Sequence, residues 1–196
     1  MQLIQWFILT IISLINIKAD VDKGWTVEDS EILALHNAYR QRLKYGRFLG
    51  QPRAIEMPKL RWSYELADIS KNWASTCQPY PSNITMRGKT SWNYVGQNVA
   101  VTSNVRDAVA LWFLEHLNYN FKANKCKENR RCANYKQVVF SETAEVGCAY
   151  KKCNNFEAPY NIVVVCTYGP GGKYFSRRPY TASTDKGYEE DIFYEY

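Results

Sequence analysis

The sequence predicts an α+β domain with an antiparallel sheet, stapled by disulfides. Three observations predict it. Apolar residues recur at helical spacing as far as Glu115, the period shortens towards two after Cys132, and the six cysteines form an even set. Helices first and strands last, without alternation, favour segregated elements over a parallel βαβ chain.

The chain opens on a nearly uncharged apolar run from Leu3 to Leu9 and again from Ile11 to Ile15. A helix crossing a ~30 Å hydrocarbon core takes ~20 apolar residues, and this run is shorter. Ile17 and Ala19 stand as the residues three before and one before a cut after Ala19, so residues 1–19 read as a signal peptide, though one lacking a basic n-region. The plainer alternative is a buried N-terminal helix. No second stretch of this kind occurs further along, and a membrane-spanning mature chain is not expected. Six cysteines then read as three disulfides in an oxidising compartment, and the sequon Asn83-Ile84-Thr85 makes Asn83 a glycosylation candidate on a surface loop. The location these signals imply is secreted and extracellular.

The formal charge of +6 becomes +5 without residues 1–19, because Lys18 is their only charge. So modest a balance gives no reason to expect a nucleic-acid partner. Part of it gathers in Lys122, Lys125, Lys127, Arg130 and Arg131, with Glu128 the only acid among them. Such a cluster fits an anionic partner, a glycosaminoglycan or lipid headgroups, or else a solvated loop.

Thr26-Val27-Glu28-Asp29 has the form of a capping box, behind which Ile32, Leu35, His36, Tyr39 and Leu43 make one helical stripe that Gly46 ends. A second stripe runs through Trp62, Leu66, Ile69 and Trp73 towards Cys77. Residues 78–103 read as loop, with Pro79, Pro81, Gly88 and Gly96. Asn104 caps a third helix that carries Val105, Val109 and Trp112 on one face, with Ala108, Leu111 and Glu115 beside it. Gln137 to Phe140, Glu145 to Tyr150 and Tyr160 to Tyr168 read as strands, the last a near-continuous Val run suited to a buried position. Gly169-Pro170-Gly171-Gly172 is a turn. Residues 174–196 form a Tyr-rich tail that ends in acids, read as draped or disordered.

The motifs now carry a resemblance. His36-Asn37-Ala38-Tyr39-Arg40, Met57 to Trp62, Trp73 to Cys77, Gly96-Gln97-Asn98, Trp112 to Glu115, Asn134 to Phe140, Val146-Gly147-Cys148 and Val165 to Gly172 stand in one order over residues 26–173. That order resembles the superfamily of cysteine-rich secretory proteins, antigen-five venom proteins and plant pathogenesis-related proteins, the sperm-coating-protein (SCP) or CAP domain. Within it the chain is similar to the helminth venom allergen-like proteins. The resemblance implies a domain over residues 20–173 and a three-layer α-β-α sandwich around a three-stranded antiparallel sheet. It also implies the pairings Cys77–Cys153, Cys126–Cys132 and Cys148–Cys166.

Members of that family often hold two His and two Glu in a cleft, donors that zinc accepts. Carried over by position, the four are Pro81, Gln97, Glu115 and Asn134. Only Glu115 keeps an ionisable ligand, so neither metal nor cofactor is expected. No His-Glu-x-x-His or Gly-x-Ser-x-Gly occurs, paired cysteines leave no thiol, and His36 on an apolar stripe reads as a packed core residue. The expectation is a protein that is not an enzyme, against a hydrolase reading sometimes attached to the family.

Binding is what remains. The first reading is a carrier of a fatty acid, less surely a sterol, between the first and third helices, lined by Ile32, Leu35, Tyr39, Val105, Val109 and Trp112, with Arg40 or Arg42 near the carboxylate. Sterol is the less expected because Val99 to Val105 holds no aromatic residue. The alternative is an interaction module for a host extracellular protein or a glycosaminoglycan, with no physiological lipid.

Overall fold

Thr26 starts the first helix by a reciprocal exchange. Its hydroxyl accepts from the Asp29 backbone N–H, and the Asp29 carboxylate accepts from the Thr26 N–H. The computed structural model describes residues 26–48, 50–87, 90–171 and 177–184. The signal-peptide reading of residues 1–19 and most of the Tyr-rich tail lie outside these.

Helix α1 spans Val27–Lys44, α2 Tyr64–Ala74, α3 Val105–Leu114 and α4 Ala133–Val138. Ser63 caps α2, and Asn104 caps α3 by accepting from the Arg106 N–H. The strands are β1 Arg61–Trp62, β2 Gly96–Thr102, β3 Tyr119–Asn120, β4 Lys125–Cys126, β5 Glu145–Lys152 and β6 Ile162–Gly169. Strands β3 and β4 make a separate hairpin.

Three expectations need correction. The main sheet has four strands in the order β1-β5-β6-β2 and is mixed, not three-stranded and antiparallel, because β1 runs parallel to β5. Trp62 belongs to that short strand and not to the second helix, since Ser63 turns the chain. Residues 96–102, read as loop, are the edge strand β2, whose Gly and Asn residues hide its alternation.

Alternate residues of the sheet serve two cores. Val164, Cys166 and Tyr168 of β6 join Val146 and Cys148 of β5 in the larger one, with Ile32 of α1, Val109 and Trp112 of α3 and Tyr135 of α4. Val163 and Val165 join Val99 and Cys153 in the smaller one, with Ala74 of α2. The three consecutive valines are buried whichever way they point, which explains why the run lacks a polar face. Each stabilises the fold by ~1.5–3 kcal/mol. Helix α2 crosses β5 at Gly147, where a Cβ would strike the backbone of Ser63 and Ala67. The Ser70 hydroxyl uses that approach to donate to the Gly147 carbonyl at 2.7 Å.

Gln137 to Phe140, read as a strand, is the end of helix α4 and the turn after it. A short apolar run cannot reveal its period, and two charged groups decide the matter here. At the N-terminus of α4 the Cys132 cap makes no side-chain bond; the Glu115 carboxylate accepts instead from the Asn134 and Tyr135 backbone N–H groups at 2.8 and 3.1 Å. Beyond its C-terminus the fully buried Arg40 donates to the carbonyls of Val138, Phe140 and Thr143, and twice to Pro58. All five guanidinium N–H groups are thereby used. Burial lowers its pKa to about 9, which leaves it charged at neutral pH.

Disulfides join Cys77 to Cys153, Cys126 to Cys132 and Cys148 to Cys166.

Replacing Arg40 by Met keeps most of the apolar stem and strands four carbonyls. Urea unfolding should show a loss of about 3 kcal/mol or more, and Arg40→Lys, with three donors, a smaller one. A Met variant as stable as the parent would show that the guanidinium is dispensable.

Candidate functional site

The interior holds a polar chain built on β2 and β6. His36 projects from α1 with its Nδ1 at 2.8 Å from the Ile32 carbonyl, one turn back. A carbonyl only accepts, so Nδ1 carries the proton and Nε2 accepts from the Tyr168 hydroxyl at 2.8 Å. Asn98 donates to the Tyr168 oxygen and to the Asn134 carbonyl. Burial lowers the His36 pKa to about 4, with nearby Arg40 acting in the same direction and the Ile32 bond against it. The imidazole is therefore neutral, fully covered, and has both nitrogens occupied.

The four carried-over positions split between two networks. Glu115 and Asn134 meet directly: the Asn134 side-chain amide donates to Glu115 Oε1 at 2.8 Å while the backbone N–H takes Oε2. Gln97 belongs to the neighbouring network, because successive residues of β2 face opposite ways. Its Oε1 accepts from the N–H and hydroxyl of Ser82, the residue after the exposed Pro81, and its amide donates to Thr167. Arg87 closes that network by donating to Ser82 and to the Val95 carbonyl. Among the described residues the two networks share no hydrogen bond between Gln97 and the Glu115–Asn134 pair. A divalent cation finds no fit in this set: the one carboxylate is spent on three N–H donors, and the Gln97 amide oxygen on one N–H and one hydroxyl. Among the described residues no group of three His, Cys, Asp or Glu is placed to hold a metal ion.

The six residues assigned to an acyl ligand do share one seam between α1 and α3. Ile32, Val105, Val109 and Trp112 are buried there, and Leu35 and Tyr39 are partly covered. Tyr39 stacks on Phe113 with ring centroids 4.3 Å apart, and the Trp112 indole donates to the Val99 carbonyl. Arg40 is not available at the entrance of the seam, since its donors are all taken inside.

The basic cluster takes a definite shape. Lys122 lies between β3 and β4, Lys125 on β4, and Lys127, Arg130 and Arg131 in the ring closed by Cys126–Cys132; all five are exposed. The Lys127 N–H donates to the Asn118 carbonyl, the Asn118 amide donates to the Arg131 carbonyl, and Arg178 donates to the carbonyls of Phe121 and Lys122. None of the five has a salt-bridge partner among the described residues. Beside them lies an open cavity of ≈ 750 Å³ whose lining includes Leu117, Phe121, Lys122, Lys127 and Arg178.

The sequence model of the cysteine-rich secretory protein family matches residues 33–168. The chain belongs to that family. It is 34% identical to venom allergen 5 of Polistes fuscatus over 175 residues, covering 81% of this chain and 82% of the wasp protein. Its likeness to a solved family structure, venom allergen-like protein 4 of Schistosoma mansoni, has a TM-score of 0.73 at 34% identity, covering 81% and 97% of the two chains. GLIPR1-like protein 1 of Mus musculus is 31% identical over 155 residues, 76% of this chain; the chain spans 62% of that protein and 63% of its Bos taurus counterpart.

Against the family pattern, sequence reasoning missed two things. It weighed Glu115 only as a metal ligand, whereas the carboxylate caps α4. It also missed Arg178, whose place beside the hairpin comes from a segment over fifty residues downstream; no local signal marks that contact.

For His36 the unfolded value near 6.5 exceeds the folded value of about 4, so the unfolded chain binds the extra proton as pH falls. The stabilisation is complete above pH 6.5 and is lost between there and pH 4, by about 3 kcal/mol. Chemical unfolding at pH 7 and pH 4.5 should show this loss, and the His36→Gln variant a flatter profile. Equal slopes would remove His36 as the cause.

Proposed function

We propose that this family member is a secreted, non-enzymatic binding module whose basic hairpin recognises an extracellular polyanion, a sulfated glycosaminoglycan. The observation that carries the reading is the set of five exposed cations, two on the β3–β4 hairpin and three in the disulfide-closed ring that follows it, with no carboxylate paired to them among the described residues. Fixed cations lose less entropy on meeting a rigid anion than cations on a loose loop. Three disulfides and the likeness to venom allergens support secretion. Among the described residues no helix is long and apolar enough to cross a membrane. The covered, doubly bonded His36 supports the non-enzymatic part. Asn83 is exposed, precedes a short 3₁₀ turn, and is proposed to carry the glycan.

The stacking of Tyr39 on Phe113 and the burial of Ile32, Val109 and Trp112 between α1 and α3 give the fatty-acid reading less support, and sterol no more. An acyl chain there must part Tyr39 from Phe113, and Val109→Trp would overpack a fully buried site instead of merely blocking a ligand. Labelled C16–C18 fatty acid is expected to show no saturable micromolar binding to delipidated protein; clear saturation would restore the lipid reading.

Heparin affinity tests the main reading. The triple variant Lys125→Ser, Lys127→Ser, Arg130→Ser should bind at least ~tenfold more weakly, about 1.4 kcal/mol, with a shallower salt dependence and an unchanged melting temperature. Unchanged affinity would overturn the assignment.

A further inference from the structure

The cavity beside the hairpin is chemically two-sided. Leu117, 60% exposed, and Phe121 give it an apolar side, and Lys122, Lys127 and Arg178 give it a cationic one. Arg178 is fixed by its bonds to the Phe121 and Lys122 carbonyls, and its guanidinium lies 5.7 Å from the centre of the Phe121 ring. None of the three cations has a carboxylate partner among the described residues. Ala182 also lines the cavity, so the chain passes this place shortly before the described residues end at Thr184.

The twelve residues beyond Thr184 are the chemical complement of this cavity. Residues 185–196 carry five carboxylates, Asp185, Glu189, Glu190, Asp191 and Glu195, against Lys186 alone. Interleaved with them are Tyr188, Ile192, Phe193, Tyr194 and Tyr196. Twelve extended residues reach up to ~40 Å, more than the cavity requires. A tethered segment also meets its site at millimolar effective concentration, which lets weak contacts suffice.

We infer that this acidic, aromatic C-terminal segment docks in cis into the cavity, its carboxylates on Lys122, Lys127 and Arg178 and its apolar residues against Leu117 and Phe121. Because Lys122 and Lys127 also belong to the proposed polyanion face, the tail competes with a glycosaminoglycan for them; this last step rests on that reading. Aryl and aliphatic groups make the tail a better occupant than a bare polyanion of equal charge, since a sulfated sugar leaves the Leu117 side uncovered.

The test keeps the full chain. In one variant the tail is neutralised by Glu189→Gln, Glu190→Gln and Asp191→Asn, and a fluorescein-labelled peptide of residues 185–196 is titrated by anisotropy. The neutralised chain should bind the peptide at least ~tenfold more tightly than the parent, whose cavity is already filled. Adding Lys122→Ser and Lys127→Ser should abolish that binding. Equal binding to parent and neutralised chain, or binding indifferent to the two lysines, would overturn the docking. A parent dimer that the tail substitutions dissolve would overturn the arrangement in cis and place the tail in a second copy. Heparin separates the two claims. If it binds neither chain while the peptide result holds, the polyanion reading falls and the tail contact stands. If heparin binds both chains equally while the peptide result holds, the competition between tail and glycosaminoglycan is overturned.

Discussion

A buried guanidinium with no carboxylate partner among the described residues organises this fold. Arg40 leaves water only because five N–H groups find carbonyl oxygens, and those carbonyls come from the loop at Pro58 and from the segment between Val138 and Thr143. The segment can present three of them because α4 ends there. At the other end of α4, Glu115 takes the first free N–H groups. An anion at the N-terminus and a cation at the C-terminal carbonyls both match the helix dipole, so a six-residue helix too short to persist alone is fixed in place. Asn134 is thereby set against Asn98, and through Tyr168 the register reaches His36 on α1.

This arrangement also explains what the sequence revealed and what it concealed. The capping box at Thr26, the Asn104 cap and the stripe of α1 are local signals, and local physics honours them. The helix at Ala133–Val138 was not legible, because its causes lie 19 and about 100 residues away in sequence. Strand β2 was hidden for a different reason: Gly96, Gln97 and Asn98 serve close packing and polar networks, so the strand lacks a clean apolar alternation. The parallel strand β1 is two residues long, too short for any periodic signal. At the site, residue types suggested that Gln97 and Asn134 had lost a ligand role. Only the folded arrangement shows what they do instead, Gln97 receiving Ser82 and Asn134 donating to the Glu115 carboxylate that caps its helix.

Charges inside the protein and charges outside it are treated in opposite ways. Arg40 has all five N–H groups on carbonyls, and Arg87 donates to the Ser82 hydroxyl and carbonyl and to the Val95 carbonyl. Lys122, Lys125, Lys127, Arg130 and Arg131 are exposed, and among the described residues their side chains form no salt bridge. These five exposed cations sit on the hairpin and the ring after it, whereas the polar groups of the interior are occupied with holding α4 and the sheet together.

The three disulfides do unequal work. Cys77–Cys153 spans 76 residues and Cys148–Cys166 lies between two core strands, whereas Cys126–Cys132 spans six residues, from an exposed Cys126 to a buried Cys132. By loop closure the longest contributes ~4 kcal/mol and the shortest ~2 kcal/mol. The small ring is thus the one whose closure contributes least to the stability of the fold. Without it Lys127, Arg130 and Arg131 would lose the covalent ring they share.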